Sequence, residues 1–161
     1  MLRIVVFFVL TAVSVYGKTL SVPFVKQQSE FCGPAALSSV FSYYGLKISQ
    51  EKIAEKVYTP QLKGALISDL ENYAKSMGFK TQLGQGNIEI IKKYIDRKIP
   101  VIVLLDYGFL MFTKLHYVVI TGYNEDGFTI HTGYEKNRLI KYRDFEKLWK
   151  KTGKAYLAIY R

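Results

Sequence analysis

The two halves of this 161-residue chain carry different apolar rhythms. In the first half, apolar side chains recur at helical spacing. Leu37, Val40, Phe41 and Tyr44 fall on one face, and Leu66, Leu70, Tyr73, Ala74 and Met77 on another. In the second half, Pro100 to Leu105 is an unbroken apolar run, short enough to be a buried strand. His116–Tyr123 is a second strand rich in β-branched residues. Asn124–Gly127 is a turn, and Phe128–Thr132 returns as a third strand. Leu139–Tyr142 and Ala155–Tyr160 add further strands. Helices first and antiparallel strands later predict the α+β class, not alternating α/β.

Local signals place the helix ends. Pro34 is tolerated in a first helical turn because its missing N–H has no partner there, so a helix opens at Cys32-Gly33-Pro34. Gly45 and Gly78 are natural stops. Ser49 caps a short helix bearing Ile53 and Val57, and Asn87 caps another bearing Ile88, Ile91 and Ile95. Pro60 and Gly64 bracket a loop, and Phe79–Leu83 reads as a short strand. A late basic helix carries Phe145, Leu148 and Trp149.

The N-terminus has the pattern of an export signal. Arg3 precedes the apolar run Ile4–Val13, and Gly17 supplies a small residue before Lys18. That run is shorter than the ~18–20 residues of a spanning helix. The expectation is a signal over 1–17, cut after Gly17, and a single domain over 18–161; a retained anchor is the rival reading. Export implies the periplasm or the extracellular space. One cysteine excludes an intramolecular disulfide framework, and two histidines disfavour a metal site built on imidazoles. No metal or organic cofactor is implied. A lone thiol in an oxidising compartment is either buried and inert or kept for its reactivity.

The formal charge is +10. Lys92, Lys93, Arg97 and Lys98 cluster on one predicted helix, and Lys147, Lys150, Lys151 and Lys154 on another. Such clusters are solvated faces, or they attract an acidic substrate, anionic lipid or cell-wall polymer. No nucleic-acid motif is present.

Chemistry concentrates at two places. Cys32 stands at a helix start, where the dipole and unpaired N–H groups favour a thiolate and a lowered pKa. His116 stands at the mouth of a strand after the turn-like stretch Gly108–Lys114. Gln27, five residues before the cysteine, can aim an amide N–H at a developing oxyanion. Taken singly, a helical Cys is ordinarily a small core residue and a strand-end His a polar surface one. Together they have the parts of a cysteine peptidase.

The segment Val22–Gly45, with Cys32-Gly-Pro-Ala-Ala-Leu37 at its centre, resembles the nucleophile region of the bacteriocin-processing cysteine peptidases. His116–Tyr123 with Asn124–Gly127 resembles their histidine strand and hairpin, so the likeness spans about Val22 to Tyr160. It is strongest to a free-standing, exported branch. The resemblance implies a papain-like fold, with N-terminal helices packed on a C-terminal antiparallel sheet, and a peptide or protein substrate. It assigns Cys32 as nucleophile, His116 as base and Gln27 as oxyanion donor. Family members usually carry Asp-Pro after the third strand. Here His131-Thr132-Gly133 stands there, with Thr132 at the Asp position. A Thr hydroxyl can accept a bond from the imidazole but brings no charge. Glu135, Asp126 and Asn124 are alternative third members, and His131 is expected on the surface. An exported chain is also a poor match to double-glycine leader processing. Three readings follow: an exported cysteine peptidase, a degenerate member that binds a peptide or envelope partner without cutting it, or a basic cell-surface adaptor that inherits the fold alone.

Overall fold

The computed structural model describes residues 17–161. The expected export signal lies almost wholly outside them.

The run Pro100–Leu105 is unbroken because the sheet it belongs to is covered on both faces. The order of its strands is β4 (Lys80–Gln85), β9 (Ala155–Tyr160), β5 (Val101–Asp106), β6 (Leu115–Tyr123), β7 (Gly127–His131) and β8 (Arg138–Lys141). Every pairing is antiparallel. The two-residue strand β1 (Lys18–Thr19) joins the far end of β6, opposite Tyr123 and Gly122.

Alternation on these strands sorts side chains into two cores. Ile102, Tyr117, Val119, Leu157 and Ile159 face one way, into a cluster with Leu37, Val40 and Phe41 of α1 (Cys32–Tyr43), Ile53 and Val57 of α2 (Gln50–Val57), and Leu70 and Ala74 of α3 (Ile67–Ser76). Val101, Val103, Leu105, Val118, Ile120 and Ile130 face the other way. There they meet Ile91 and Ile95 of α4 (Ile88–Asp96) and Phe145 and Trp149 of α5 (Tyr142–Lys150). The α+β expectation holds, with one addition. The helices of the first half take one face, and α4 and α5 close the second.

The helix signals act as read. Ser49 Oγ accepts from Lys52 N–H, and Asn87 Oδ1 from Ile90 N–H at 2.9 Å. Gly45 and Gly78 end their helices with positive φ. Nine consecutive residues of α1, Gly33–Phe41, are buried, so this helix runs through the interior instead of along the surface. The short hairpin β2 (Tyr58–Thr59) and β3 (Gly64–Ala65), joined by the 3₁₀ turn Pro60–Leu62, lies where a plain loop is expected. Strand β6 contacts α1 directly and pairs with β1, β5 and β7, which makes it the strand that positions the site.

Candidate active site

Cys32 is the first residue of α1, and its thiol is half-buried. Close packing brings this helix end onto β6. Gly33 has no side chain, and a Cβ there would lie 3.2 Å from the Tyr117 ring and 3.3 Å from Ala65. Tyr117 is fixed in turn by its hydroxyl, which donates to the Ala65 carbonyl at 2.9 Å. The backbone N–H groups of Tyr117, Gly33 and Cys32 itself act on the sulfur and favour the thiolate. Burial outweighs them, and the thiol pKa is raised. The helix-start argument therefore gives the wrong sign here. The nine residues that follow Cys32 in α1 are all buried, and desolvation at this interior helix end disfavours the anion.

The N–H of Tyr117 belongs to the peptide unit that joins it to His116. The thiol therefore lies against the β6 residue next to His116, and Cys32 and Tyr117 line one cleft. The His116 ring lies between two tyrosines, stacked on Tyr134 with centroids 5.7 Å apart and edge-on to Tyr107 at 6.1 Å. Its Nε2 meets the Thr132 carbonyl oxygen at 2.5 Å. A carbonyl only accepts, so Nε2 carries the hydrogen and Nδ1 of the neutral ring is left to accept a proton. Burial lowers the His116 pKa, as does the Lys114 charge; the bond to Thr132 opposes this without prevailing. At neutral pH the resting pair is thiol and imidazole, both uncharged.

Thr132 therefore holds the imidazole with its backbone. Its hydroxyl accepts from the N–H groups of Tyr134 (3.2 Å) and Glu135 (2.9 Å), tightening the turn that aims the carbonyl. The expected hydroxyl–imidazole bond is not formed. Glu135 pairs with Arg138 at 2.8 Å, and Asn124 Oδ1 accepts from Asp126 and Gly127 N–H within its own turn. Neither Glu135, Asp126 nor Asn124 is a bonded partner of His116 among the described residues.

His131 is not on the surface. It is only 3% exposed, donates from Nε2 to the Val22 carbonyl at 2.9 Å and accepts at Nδ1 from Asn137 N–H at 3.2 Å. Both ring nitrogens are satisfied in the neutral form. The ring pins the leading segment 20–31 against β7, and its edge-on contact with Phe24 at 5.5 Å adds to that hold. The surface expectation fails because β7 is the second strand from the sheet edge and the leading segment, through Val22 and Phe24, covers the face that His131 takes.

Gln27 is buried on the leading segment, with its N–H bonded to the Gly133 carbonyl at 2.9 Å. Its Nε2 donates to Ser29 O at 2.9 Å and to the Tyr134 hydroxyl at 3.0 Å; its Oε1 has no partner among the described residues. Gly133, with φ of +83°, is needed beside it, because a Cβ would lie 2.6 Å from that oxygen. Tyr134 thus touches both Gln27 and His116, although neither composition nor spacing singles it out. Gln50 is also a residue that sequence reasoning passes over. Buried next to the Ser49 cap, it accepts from Gln28 N–H and donates to Lys26 O, fixing both sides of Gln27.

A cleft of about 410 Å³ opens beside Cys32. Leu62, Leu66, Ile67, Leu104, Leu115 and Tyr117 give it an apolar lining, with Lys63 at the rim.

Two neutral histidines, His131 buried and His116 half-buried, make stability sensitive to acid. Both have pKa values lowered in the folded chain, so the unfolded chain binds more protons as the pH falls. Their contribution is complete above the ordinary histidine value of ~6.5 and is lost as pH falls through the lowered folded values. The thermal midpoint should stay level from about pH 7.5 to 6.5 and drop between about 6.5 and 5. His131→Gln should start lower and show a shallower drop. A flat wild-type midpoint down to pH 5 would contradict the assignment of both rings as neutral.

The fold has clear relatives of known structure. The peptidase domain of Streptococcus ComA, described as a bi-functional ABC transporter in a quorum-sensing pathway, matches with a TM-score of 0.71 at 23% identity, over 89% of this chain and 97% of that one. A protein from Bacillus anthracis described as a C39-like peptidase matches with a TM-score of 0.74 at 17% identity, over 91% and 98%. A double-glycine-motif protease from an AMS/PCAT transporter, solved with its leader peptide, matches with a TM-score of 0.72 at 18% identity, over 88% and 93%. At these identities the likeness is one of fold. No curated protein matches the sequence. The Peptidase_C39 like family matches residues 19–157, nearly the whole of the described chain, and the protein belongs to that family.

Proposed function

We propose that the protein is a cysteine peptidase that cuts peptide bonds through Cys32 and His116. The observation that carries the reading is a helix-start thiol placed against Tyr117, the β6 neighbour of an imidazole oriented by the Thr132 carbonyl. In this mechanism His116 Nδ1 takes the thiol proton as the sulfur attacks the substrate carbonyl carbon. The oxyanion is held by the Cys32 N–H and by Gln27 Nε2, where the carbonyl oxygen replaces the Tyr134 hydroxyl. His116 returns the proton to the leaving amine as the C–N bond breaks. Water, deprotonated by His116, then releases the acyl group from the sulfur. Apolar side chains on the substrate suit the leucine-lined cleft. The apolar start Ile4–Val13 supports an exported enzyme acting on envelope peptides.

The test is a peptide library read by mass spectrometry, with Cys32→Ser and His116→Ala alongside. Cleavage by the wild type alone is expected. No cleavage by any form, with retained binding, would favour the degenerate binder. That second reading is supported by the absence, among the described residues, of a carboxylate bonded to His116.

The resting charge state has its own signature. The raised thiol pKa predicts alkylation by iodoacetamide that is slow at pH 7 and keeps accelerating beyond the ordinary thiol range near ~8.5. A rate level between pH 6 and 8 would instead reveal a preformed ion pair.

A further inference from the structure

The β5–β6 hairpin ends in Phe109-Leu110-Met111-Phe112, and these side chains are 76, 87, 94 and 81% exposed. Four large apolar neighbours in water on one turn are not an ordinary feature of a soluble surface. The turn is not loose. Asp106 Oδ1 accepts from Gly108 N–H at 2.7 Å and Lys114 N–H at 2.9 Å, and Phe112 N–H bonds Phe109 O at 3.0 Å. Lys151 Nζ donates to the Gly108 carbonyl at 2.7 Å. Leu110 takes a left-handed backbone, φ 53°, which a leucine rarely adopts. Polar groups at the base therefore hold an apolar apex outward.

We propose that this hairpin apex inserts into an anionic lipid surface. Charge complementarity selects that occupant. Lys114 and Lys151 flank the hairpin base, and Lys63 stands on the rim of the adjoining cleft with Thr113 and Leu115. Asp106 at the base is committed to backbone N–H groups, Glu135 near Lys114 is paired with Arg138, and the chain as a whole carries +10. Apolar insertion together with nearby lysines is the combination that gives stable binding to anionic membranes. A convex apex needs no matching hole in a fluid surface, whereas a protein partner would have to supply one. Insertion would turn the Cys32 cleft, which shares the β5–β6 hairpin, toward the membrane plane. The inference does not depend on whether Cys32 is catalytic.

The test places an environment-sensitive NBD label at Met111→Cys in the full chain, with Cys32→Ala so that the label has one site. Vesicles of phosphatidylglycerol should shift its emission to the blue and bring it within reach of lipid-borne quenchers. Pure phosphatidylcholine vesicles should not. In the unlabelled chain, Lys63→Gln and Lys114→Gln should each weaken vesicle binding about fivefold, and Phe109→Ser with Phe112→Ser by more than about tenfold. An unshifted label on bound vesicles would overturn the proposal, because the chain would then be attached elsewhere. A shift without lipid would also overturn it. If that shift grows with protein concentration, a second copy covers the apex; if it does not, the chain's own apolar start does. Equal shifts on neutral and anionic vesicles would remove the charge-based choice of occupant.

Discussion

Replacing His116 with alanine should lower peptide turnover by about 10²–10⁴-fold, the span expected for loss of a positioned general base. It should leave the pH profile of Cys32 alkylation nearly unchanged. The two readouts separate because the resting thiol takes its stabilising contacts from backbone N–H groups, while burial sets the sign of its shift. In an enzyme with a standing thiolate–imidazolium pair, the same substitution would move both. Thr132→Val supplies the contrast. The carbonyl that holds Nε2 survives any side chain, so turnover should fall far less than in His116→Ala. What Val removes is the hydroxyl acceptor for Tyr134 and Glu135 N–H, at a cost of about 1–3 kcal/mol in stability. Equal turnover losses in the two variants would mean that the Thr132 hydroxyl takes part in the chemistry.

Gly33→Val should be the most damaging substitution that leaves every reactive group in place. Even the first added carbon meets the Tyr117 ring at 3.2 Å and the Ala65 Cβ at 3.3 Å, and valine adds two more. Overpacking of this kind costs about 1–3 kcal/mol. The start of α1 must lift off β6, and Cys32 moves with it. A displacement of about 1 Å is enough to cost about 100-fold in rate. Denaturant melts and turnover well below the transition should therefore both report a loss, with Gly33→Ala intermediate. A Val variant that is destabilised yet fully active would show that the packing of Gly33 does not set the position of the thiol.

The parts of this molecule that sequence reading reaches are those with a local cause. Ser49 and Asn87 cap helices as their side chains allow, and the unbroken run after Pro100 becomes a strand between two covered faces. Cys32, His116 and Gln27 are legible as residue types in order. What is not legible depends on partners distant in the chain. The imidazole is held by a backbone carbonyl, a group that every residue owns and no sequence distinguishes. His131 is buried because Val22 returns to cover it, far away in sequence. The helix-start rule for the thiol names a real effect, yet it cannot weigh that effect against burial that other elements create. Tyr134 acquires its place only once Gln27 and His116 are brought to its two sides.

The position of β9 has a consequence for how the protein comes into being. This last strand lies between β4 and β5, and its Leu157 and Ile159 form part of the floor on which α1 rests. A ribosome that has already made Cys32 and His116 has still not made the strand that joins β4 to the rest of the sheet. The growing chain thus carries Cys32 and His116 before part of the floor beneath α1 exists. The order in which the strands are made delays completion of the floor under α1 until β9 has been synthesised.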